Sequence, residues 1–392
     1  MAIPTLSDIY NGIISDLNSK LGIVISIFGK NFSRAMAAVQ AAKMWLIYRN
    51  IAKVQKNIFV DTADRESSGG TLERFGRVKL NRDPFLATAG IYEIEVTGTI
   101  GGVVPANTVF KSNDDASSPS KLYVTDSEFT LAGSSVLVTV RALEVGLDSR
   151  LVAGDKMTLT SPLVNVDSEA TVDSEITIPL AAEDIEDYRE KVMIAFRIES
   201  QGGSRGDYIL WSLDTQGVRK VYPYAISGAV NEMNLYVEAN VDDSGPTFPG
   251  QPTAQMLLDV EEVIERDPDT TLELYERSRR PVGMIIHFLE PSPKYIDIEI
   301  TDLFDDSASV KTIIENAVIA LLHDVRPFID GADDPNNMNK WLYISNLVGA
   351  VNSAIGQSNN FSALTFTVDS APATSYEFIN GNIPILNSIT YV

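Results

Sequence analysis

Cysteine is absent from these 392 residues, and histidine occurs twice, at His287 and His323. The first absence excludes a disulfide framework and any thiolate metal site, and it fits a reducing compartment. Two imidazoles cannot form a histidine-rich metal centre or a histidine switch cluster. Long apolar runs are also missing. Gly22-Ile23-Val24-Ile25-Ser26-Ile27-Phe28-Gly29 falls well short of the ~20 residues a helix needs to cross a bilayer. The N-terminus has no basic start and no cleavage site of a secretory signal. The expectation is a soluble chain made in the cytoplasm, without membrane insertion. No phosphate loop with its lysine is present, and no nucleophile elbow.

A further scarcity is local. Residues 22–60 hold no Asp or Glu, yet carry Lys30, Arg34, Lys43, Arg49, Lys53 and Lys56. The formal net charge is −22, so those six cations leave −28 on the rest of the chain. Such an acidic whole disfavours direct binding to nucleic acid phosphate.

What is present is apolar material for several cores. Hydrophobic residues make up 44% of the chain, enough to argue against disorder. The length predicts two to four domains. Ser7 is a candidate cap for a short helix with Ile9, Ile13, Leu17 and Leu21 on one face. A longer helix is predicted from about Phe32 to Phe59. Ala35, Ala38, Val39, Ala42, Trp45 and Leu46 give it a broad apolar face rich in small residues, which admit another helix closely. Arg34, Ala38, Ala42, Trp45, Leu46, Arg49 and Lys53 are the candidate interface residues. Packing on an acidic face of the same chain and bundling with helices of other subunits are both open. The bundle is preferred, because only the short helix before it is an available mate.

From Gly90 to about Pro179 the period becomes two. Tyr92, Ile94 and Val96 alternate with Glu93, Glu95 and Thr97, and Val136, Val138, Val140 and Ala142 with Leu137, Thr139, Arg141 and Leu143. These are strands with one dry face, and a mobile tip is expected near Ser112 to Ser120. Beyond them, helices are predicted over Ala181–Ile198, from Asp207 as cap to Leu213, and over Ala254–Arg266. A hairpin is predicted over Val218–Ala225 and Asn234–Asn240, and a strand over Gly283–Leu289. Together they suggest helices on one face of an antiparallel sheet. The last segment reads as a strand (Tyr295–Ile300), helices over Ser309–Leu322 and Asn339–Ala354, and closing strands over Leu364–Val368 and Ile385–Tyr391.

Chemistry is hard to find. His287 lies in a strand pattern and His323 at a helix end, neither beside a nucleophile and acid. Acid pairs occur at Asp114-Asp115, Asp242-Asp243, Asp305-Asp306 and Asp333-Asp334. Asp330 to Asn336 is the best cation candidate, although EF-hand spacing and its terminal Glu are missing. Solvated loops are the plainer reading. Trp45, Trp211 and Trp341 all sit in helical patterns and are expected to pack. Arg277, Arg279 and Arg280 are nearly offset by Glu273 and Glu276. The chain is expected to be no enzyme and to hold no cofactor or metal.

One ordered series of residues runs through this pattern. It starts with Asp61-Thr62-Ala63-Asp64, Gly70-Thr71-Leu72-Glu73-Arg74-Phe75-Gly76 and Arg82. It continues with Ala87-Thr88-Ala89-Gly90, Val96-Thr97-Gly98, Gly101-Gly102, Pro105-Ala106-Asn107-Thr108 and Tyr123-Val124-Thr125. Further on come Glu183-Asp184, Tyr188-Arg189, Gly202-Gly203, Asp207-Tyr208, Trp211, Gly217-Val218, Pro223, Arg280-Pro281-Val282 and Ile383-Pro384-Ile385-Leu386-Asn387. The order resembles the baseplate J family over about residues 61 to 290, with a looser match in the tail. It departs at Leu147-Asp148-Ser149-Arg150, where a Gly-Asn turn is usual, and in the polar insert Asn113 to Ser120.

The resemblance implies an α+β multidomain protein: an N-terminal helical segment (1–60), a short helix plus a central antiparallel β domain (61–180), and two C-terminal α/β sandwich-like domains (181–290 and 291–392). It implies a structural wedge component of a contractile phage tail or related injection machine, located in the virion baseplate. The implied partners are a second copy, another wedge protein through a helical bundle, and tail hub or sheath-initiator proteins. A virion glycan- or receptor-binding protein is the alternative, and a tail-associated hydrolase a more distant one.

Overall fold

The computed structural model describes residues 3–22, 32–199, 201–356 and 359–392. The apolar run 23–29 lies outside them. The chain divides into two compact units, one of residues 1–83 with 189–193, the other of residues 84–188 with 194–392.

In the first unit, α1 (Leu6–Leu21) and α2 (Phe32–Lys56) pack together. Thr5, not Ser7, caps α1. Its Oγ1 accepts from Asp8 N at 3.1 Å while its own N donates to the Asp8 carboxylate at 3.1 Å, a reciprocal capping box. Gly22 ends the helix at φ 65°. A single-turn 3₁₀ helix and α3 (Leu72–Lys79) complete the unit.

The second unit opens with β strands. They are β1 (Ile91–Gly98), β2 (Val103–Val104), β3 (Val109–Ser112), β4 (Leu122–Thr125), β5 (Phe129–Thr130), β6 (Ser135–Ala142), β7 (Lys156–Leu159) and β8 (Val166–Thr177). Six of them close an antiparallel barrel in the order β1-β6-β4-β3-β7-β8, and β2 pairs with β5. The alternation read from sequence is the barrel's inside: Tyr92, Ile94, Val96, Val138, Val140 and Ala142 are buried, together with Phe110 and Tyr123. The unusual Leu147–Ser149 segment is a 3₁₀ turn. Its Ser149 carbonyl accepts from the Tyr92 hydroxyl at 3.1 Å and the Tyr123 hydroxyl at 2.9 Å. The insert Asn113 to Ser120 is not a free tip. Ala116 and Ser118 are buried, Ser118 Oγ donates to Arg150 O at 2.6 Å, and Asp155 accepts from Ser117 N at 3.1 Å.

Two α/β layers follow. They are preceded by α4 (Ile185–Arg197), whose residues 189–193 belong to the first unit. The first layer has α5 (Arg205–Ser212), β9 (Val218–Ala225), β10 (Glu232–Ala239), α6 (Ala254–Glu265) and β11 (Ile285–Leu289). Its sheet order is β11-β10-β9. The hairpin β9–β10 is antiparallel as expected, but β11 joins β10 in parallel, so the sheet is mixed. Ser204 caps α5. Asp207 sits three residues in and is wholly buried, where its carboxylate accepts from the backbone N–H groups of Gln201, Gly203 and Ser204.

The second layer has β12 (Ser292–Thr301), α7 (Ala308–Asp324), β13 (Trp341–Tyr343), α8 (Ile344–Ile355), β14 (Ala363–Val368), β15 (Ala371–Ala373), β16 (Ser375–Glu377) and β17 (Asn382–Tyr391). Its main sheet runs β15-β14-β12-β17, with β12 and β17 parallel, and β13 pairs with β16. Trp341 is therefore in a strand, and the helix predicted from Asn339 starts only at Ile344. Pro291-Ser292-Pro293 leads directly into β12, with Ser292 N donating to Gly381 O at 3.0 Å. Ile296, Ile298 and Ile300 of β12 face Ile314, Val318 and Leu322 of α7 in one core.

Candidate assembly interface

α2 is a 25-residue helix, about 37 Å long at 1.5 Å per residue. Among its described residues only Ala37 and Ala41 are buried. They lie one turn apart, and their small side chains let α1 approach closely. Arg34 lies over the Tyr10 ring at 5.7 Å, and Arg49 over the Trp45 ring at 5.6 Å. Of the residues singled out in the sequence, Arg34 and Trp45 are half-buried, and Ala38, Ala42, Leu46, Arg49 and Lys53 are exposed.

A second stripe escaped that reading. Met44, Ile47, Ile51 and Val54, with Ile58 just past the helix end, stand 44%, 57%, 52%, 63% and 57% exposed. Their spacing is three, four, three, four, the a/d repeat of a coiled-coil seam. The flanking positions are Lys43, Tyr48, Asn50, Gln55 and Asn57, with only one charge among them. The 3-4 spacing is present in the sequence itself, on a helix whose many alanines mark a different face.

The base of α2 is fixed by the Asp61–Gly76 motif. Lys53 Nζ donates to Ser68 O at 2.8 Å, and Lys56 Nζ meets Asp64 Oδ1 at 2.7 Å. That ammonium holds the Asp64 carboxyl below its ordinary range. Asn57 Oδ1 accepts from Asp64 N at 2.7 Å, and Thr71 Oγ1 donates to Asn57 O at 2.9 Å. Glu66 accepts from Arg77 at 2.7 Å and Arg74 at 3.2 Å, which lowers its carboxyl in turn. Arg189, in the same unit, donates to the Val60 and Ala63 carbonyls at 2.8 and 2.7 Å. The motif thus builds a hydrogen-bonded elbow beneath an apolar helix.

The other sequence candidates resolve as structure. Asp333 accepts from Lys220 Nζ at 2.9 and 3.0 Å and from Ile329 N at 2.8 Å, so an ammonium occupies the best acidic loop. Asp243 is buried rather than solvated and accepts from Ala181 N at 3.1 Å. Among the described residues no group of three or more His, Asp or Glu could hold a metal ion. The arginine cluster is neutralised by residues remote in sequence. Arg279 pairs with Asp214 and Asp267 at 2.8 and 2.7 Å, and Arg280 with Glu265 at 2.9 Å. His287 lies on β11, 3.5 Å from Glu232.

His323 ends α7 beside a buried ionic cluster that sequence reasoning missed. Glu238 of β10 is 1% exposed and accepts from Arg326 Nε at 2.8 Å, Arg219 Nη1 at 3.0 Å and the Tyr222 hydroxyl at 2.5 Å. Burial raises its pKa, but the two guanidiniums and the tyrosine together outweigh burial and hold it below the ordinary value. Arg219 also donates to the His323 carbonyl at 2.9 Å and lies 3.0 Å from Nδ1. Burial first, then Arg219 and Arg326, push the imidazole below its ordinary pKa. Among the described residues no helix is long and apolar enough to cross a membrane.

The barrel has a counterpart among known protein families. Residues 93–178 match the model of the Baseplate J-like protein barrel domain, which fits the closed six-stranded barrel described above. Over that span the chain carries a baseplate J-like barrel domain. It is 21% identical over 305 residues to the Mu-like prophage FluMu protein gp47 of Haemophilus influenzae Rd, covering 76% of each chain. To JayE of Escherichia coli K12 it is 24% identical over 102 residues, 26% of this chain and 38% of that protein, so this match spans little more than a third of that relative. A chain in the cryo-EM structure of the anti-feeding prophage baseplate aligns with TM-score 0.41 and 12% identity, over 97% of this chain and 90% of that one.

Proposed function

We propose that the chain is a structural wedge component of the baseplate of a contractile phage tail or related injection machine. It works in paired copies, joins another wedge protein through a helical bundle built on α2, and contributes ring contacts around the tail hub or sheath initiator. It is placed in the virion baseplate and assembled in the host cytoplasm. It is not a catalyst: its histidines and acids serve packing and ion pairs.

The observation that carries this reading is the exposed apolar stripe Met44, Ile47, Ile51, Val54 and Ile58 on α2. A seam of this spacing in water is stabilised by burial against another helix. Ile51 and Ile58 occupy one seam position, Ile47 and Val54 the other. β-Branched residues at both positions favour more than two strands, which suits two copies and a third helix from a partner.

The test uses Ile47→Glu/Ile51→Glu in the full chain, tested by complementation of the parent phage or prophage. Both sites are exposed, so the purified variant is expected to keep its thermal unfolding curve. It is expected to be missing from purified tails, which lose their baseplates. Incorporation at the parental level would sink the proposal.

A further inference from the structure

Among the described residues, β17 is the outermost strand of its sheet and pairs only with β12. Bonds at its two ends show which way its backbone points. Gly381 O accepts from Ser292 N at 3.0 Å. Val392 N donates to Ile300 O at 3.0 Å, and Val392 O accepts from Asp302 N at 2.7 Å. Gly381 and Val392 therefore both face β12. Period two places Ile383 and Ile385 on that side with Gly381, and Thr390 and Ser388 with Val392. A register shift, with Leu386 and Ser388 opposite the adjacent residues Ile296 and Asp297, absorbs the change of parity at Asn387.

The outward groups are then those of Pro384 and Leu386 before the bulge and of Ile389 and Tyr391 after it. Pro384 has no N–H, and bulges also blunt an edge, so the first half is protected. The free edges of β9 and β15 carry Pro223 and Pro372 in the same way. The second half of β17 has no such protection. Ile389 and Tyr391 each aim an N–H and a C=O away from β12, and neither has a backbone partner on that side among the described residues. Open edges of this kind are templates for another strand.

We propose that this edge pairs with the same edge of a second copy, antiparallel about a two-fold axis through Thr390. Ile389 then lies opposite Tyr391 of the second copy, and Tyr391 opposite its Ile389. Outward groups meet outward groups, giving four N–H···O=C bonds. The neighbouring helix selects a copy of the chain over another occupant. Lys311 and Glu315 of α7 lie one turn apart beside β17, with Lys311 Nζ 4.9 Å from the Tyr391 ring centroid. Both line a cavity of about 420 Å³ with Ile319, Leu386, Ile389 and Tyr391. A two-fold axis inverts this plus–minus pair, so each lysine meets the other copy's glutamate. That local complementarity offsets the repulsion between two chains of net charge −22. The strand segment Ser388 to Tyr391 itself brings no charge to the axis. The inference deepens the proposed function, since it rests on the chain working in paired copies. It can fail separately, because its readout is one cross-link and not incorporation into tails.

The chain has no cysteine, so Thr390→Cys in the full chain introduces a single, exposed thiol. In the proposed register the two thiols form a non-hydrogen-bonded pair with Cα atoms about 4.5 Å apart, a separation a disulfide spans. Mild oxidation of the purified protein is expected to convert Thr390→Cys to covalent dimer while Thr365→Cys, exposed on β14 of the same sheet, stays monomeric. Adding Glu315→Lys to Thr390→Cys is expected to cut the dimer yield by about tenfold. The charge swap Lys311→Glu/Glu315→Lys is expected to restore it. No dimer from Thr390→Cys, equal dimer from both cysteine variants, or a swap as poor as the single reversal would each overturn the proposal.

Discussion

Arg326 and Glu238 lie 88 residues apart in the chain and meet at 2.8 Å through Nε and Oε1, one side chain 13% and the other 1% exposed. The contact joins the β10 sheet to the segment that follows α7, fixing one α/β layer against the next. Removing one partner of a buried pair leaves an uncompensated charge, which costs about 3–5 kcal/mol. Arg326→Met is therefore expected to lower unfolding stability by an amount near that range, with Arg219 and Tyr222 retaining part of the compensation. Glu238→Gln in the same background removes the orphaned charge and is expected to recover a substantial part. Urea denaturation of the two single variants and the double variant, read as a double-mutant cycle, checks both outcomes.

The same cluster sets an acid limit. His323 has a folded pKa below its ordinary value of about 6.5, so the unfolded chain takes up its proton first. Its contribution to stability is complete above about pH 6.5 and is lost as pH falls towards the folded value. Glu238 is also depressed. Its contribution is complete above the unfolded carboxylate value of about 4.3 and is lost as pH falls through the folded one. Stability is thus expected to decline in two stages on acidification. Asp207 and Asp369 share the lower stage, because both are lowered too. Only His323 among these groups acts in the upper one, so His323→Gln should flatten the curve between about pH 7 and 5 and leave the lower limb in place. Melting temperatures across that window decide the point.

The barrel was legible because one dry face imposes period two, and Tyr92, Ile94 and Val96 carry it with no ambiguity. Strand direction was not legible. β11 and β12 are apolar strands whether their neighbours run parallel or antiparallel, and only the crossover through helices decides. Trp341 and Tyr343 stack at 5.8 Å within a three-residue strand, too short for a period to stand out before α8. On α2, alanines at 35, 37, 38, 41 and 42 surround the axis, so composition alone could not show that Ala37 and Ala41 are the buried pair. The Glu238 cluster could not be seen at all, since its members come from β9, β10 and the segment that follows α7. Asp207 carries a capping signal in the sequence because Asp favours that position. The reciprocal box with Ser204 accounts for both residues.

Gly70 provides the sharpest stereochemical prediction. A Cβ added there would lie 1.8 Å from Asp64 O and 2.2 Å from Asp64 C. Both are backbone atoms, and that carbonyl already accepts from Thr71 N at 3.0 Å and Leu72 N at 3.2 Å. No side-chain rotation relieves the clash, so Gly70→Ala must push apart the turn that ties Asp64 and Lys56 to α3. A cost at or above the upper end of the usual 1–3 kcal/mol for overpacking, about 3 kcal/mol, is expected. Gly101→Ala is the control. Its φ of +85° strains any L side chain, but nothing lies within 4 Å of the added Cβ, so its cost is confined to about 1–2 kcal/mol of left-handed backbone. Limited proteolysis should find Gly70→Ala newly cleaved between Asp61 and Gly76 and Gly101→Ala resistant there. Equal resistance of the two variants would mean that the elbow accommodates a methyl group and is not the rigid base of α2.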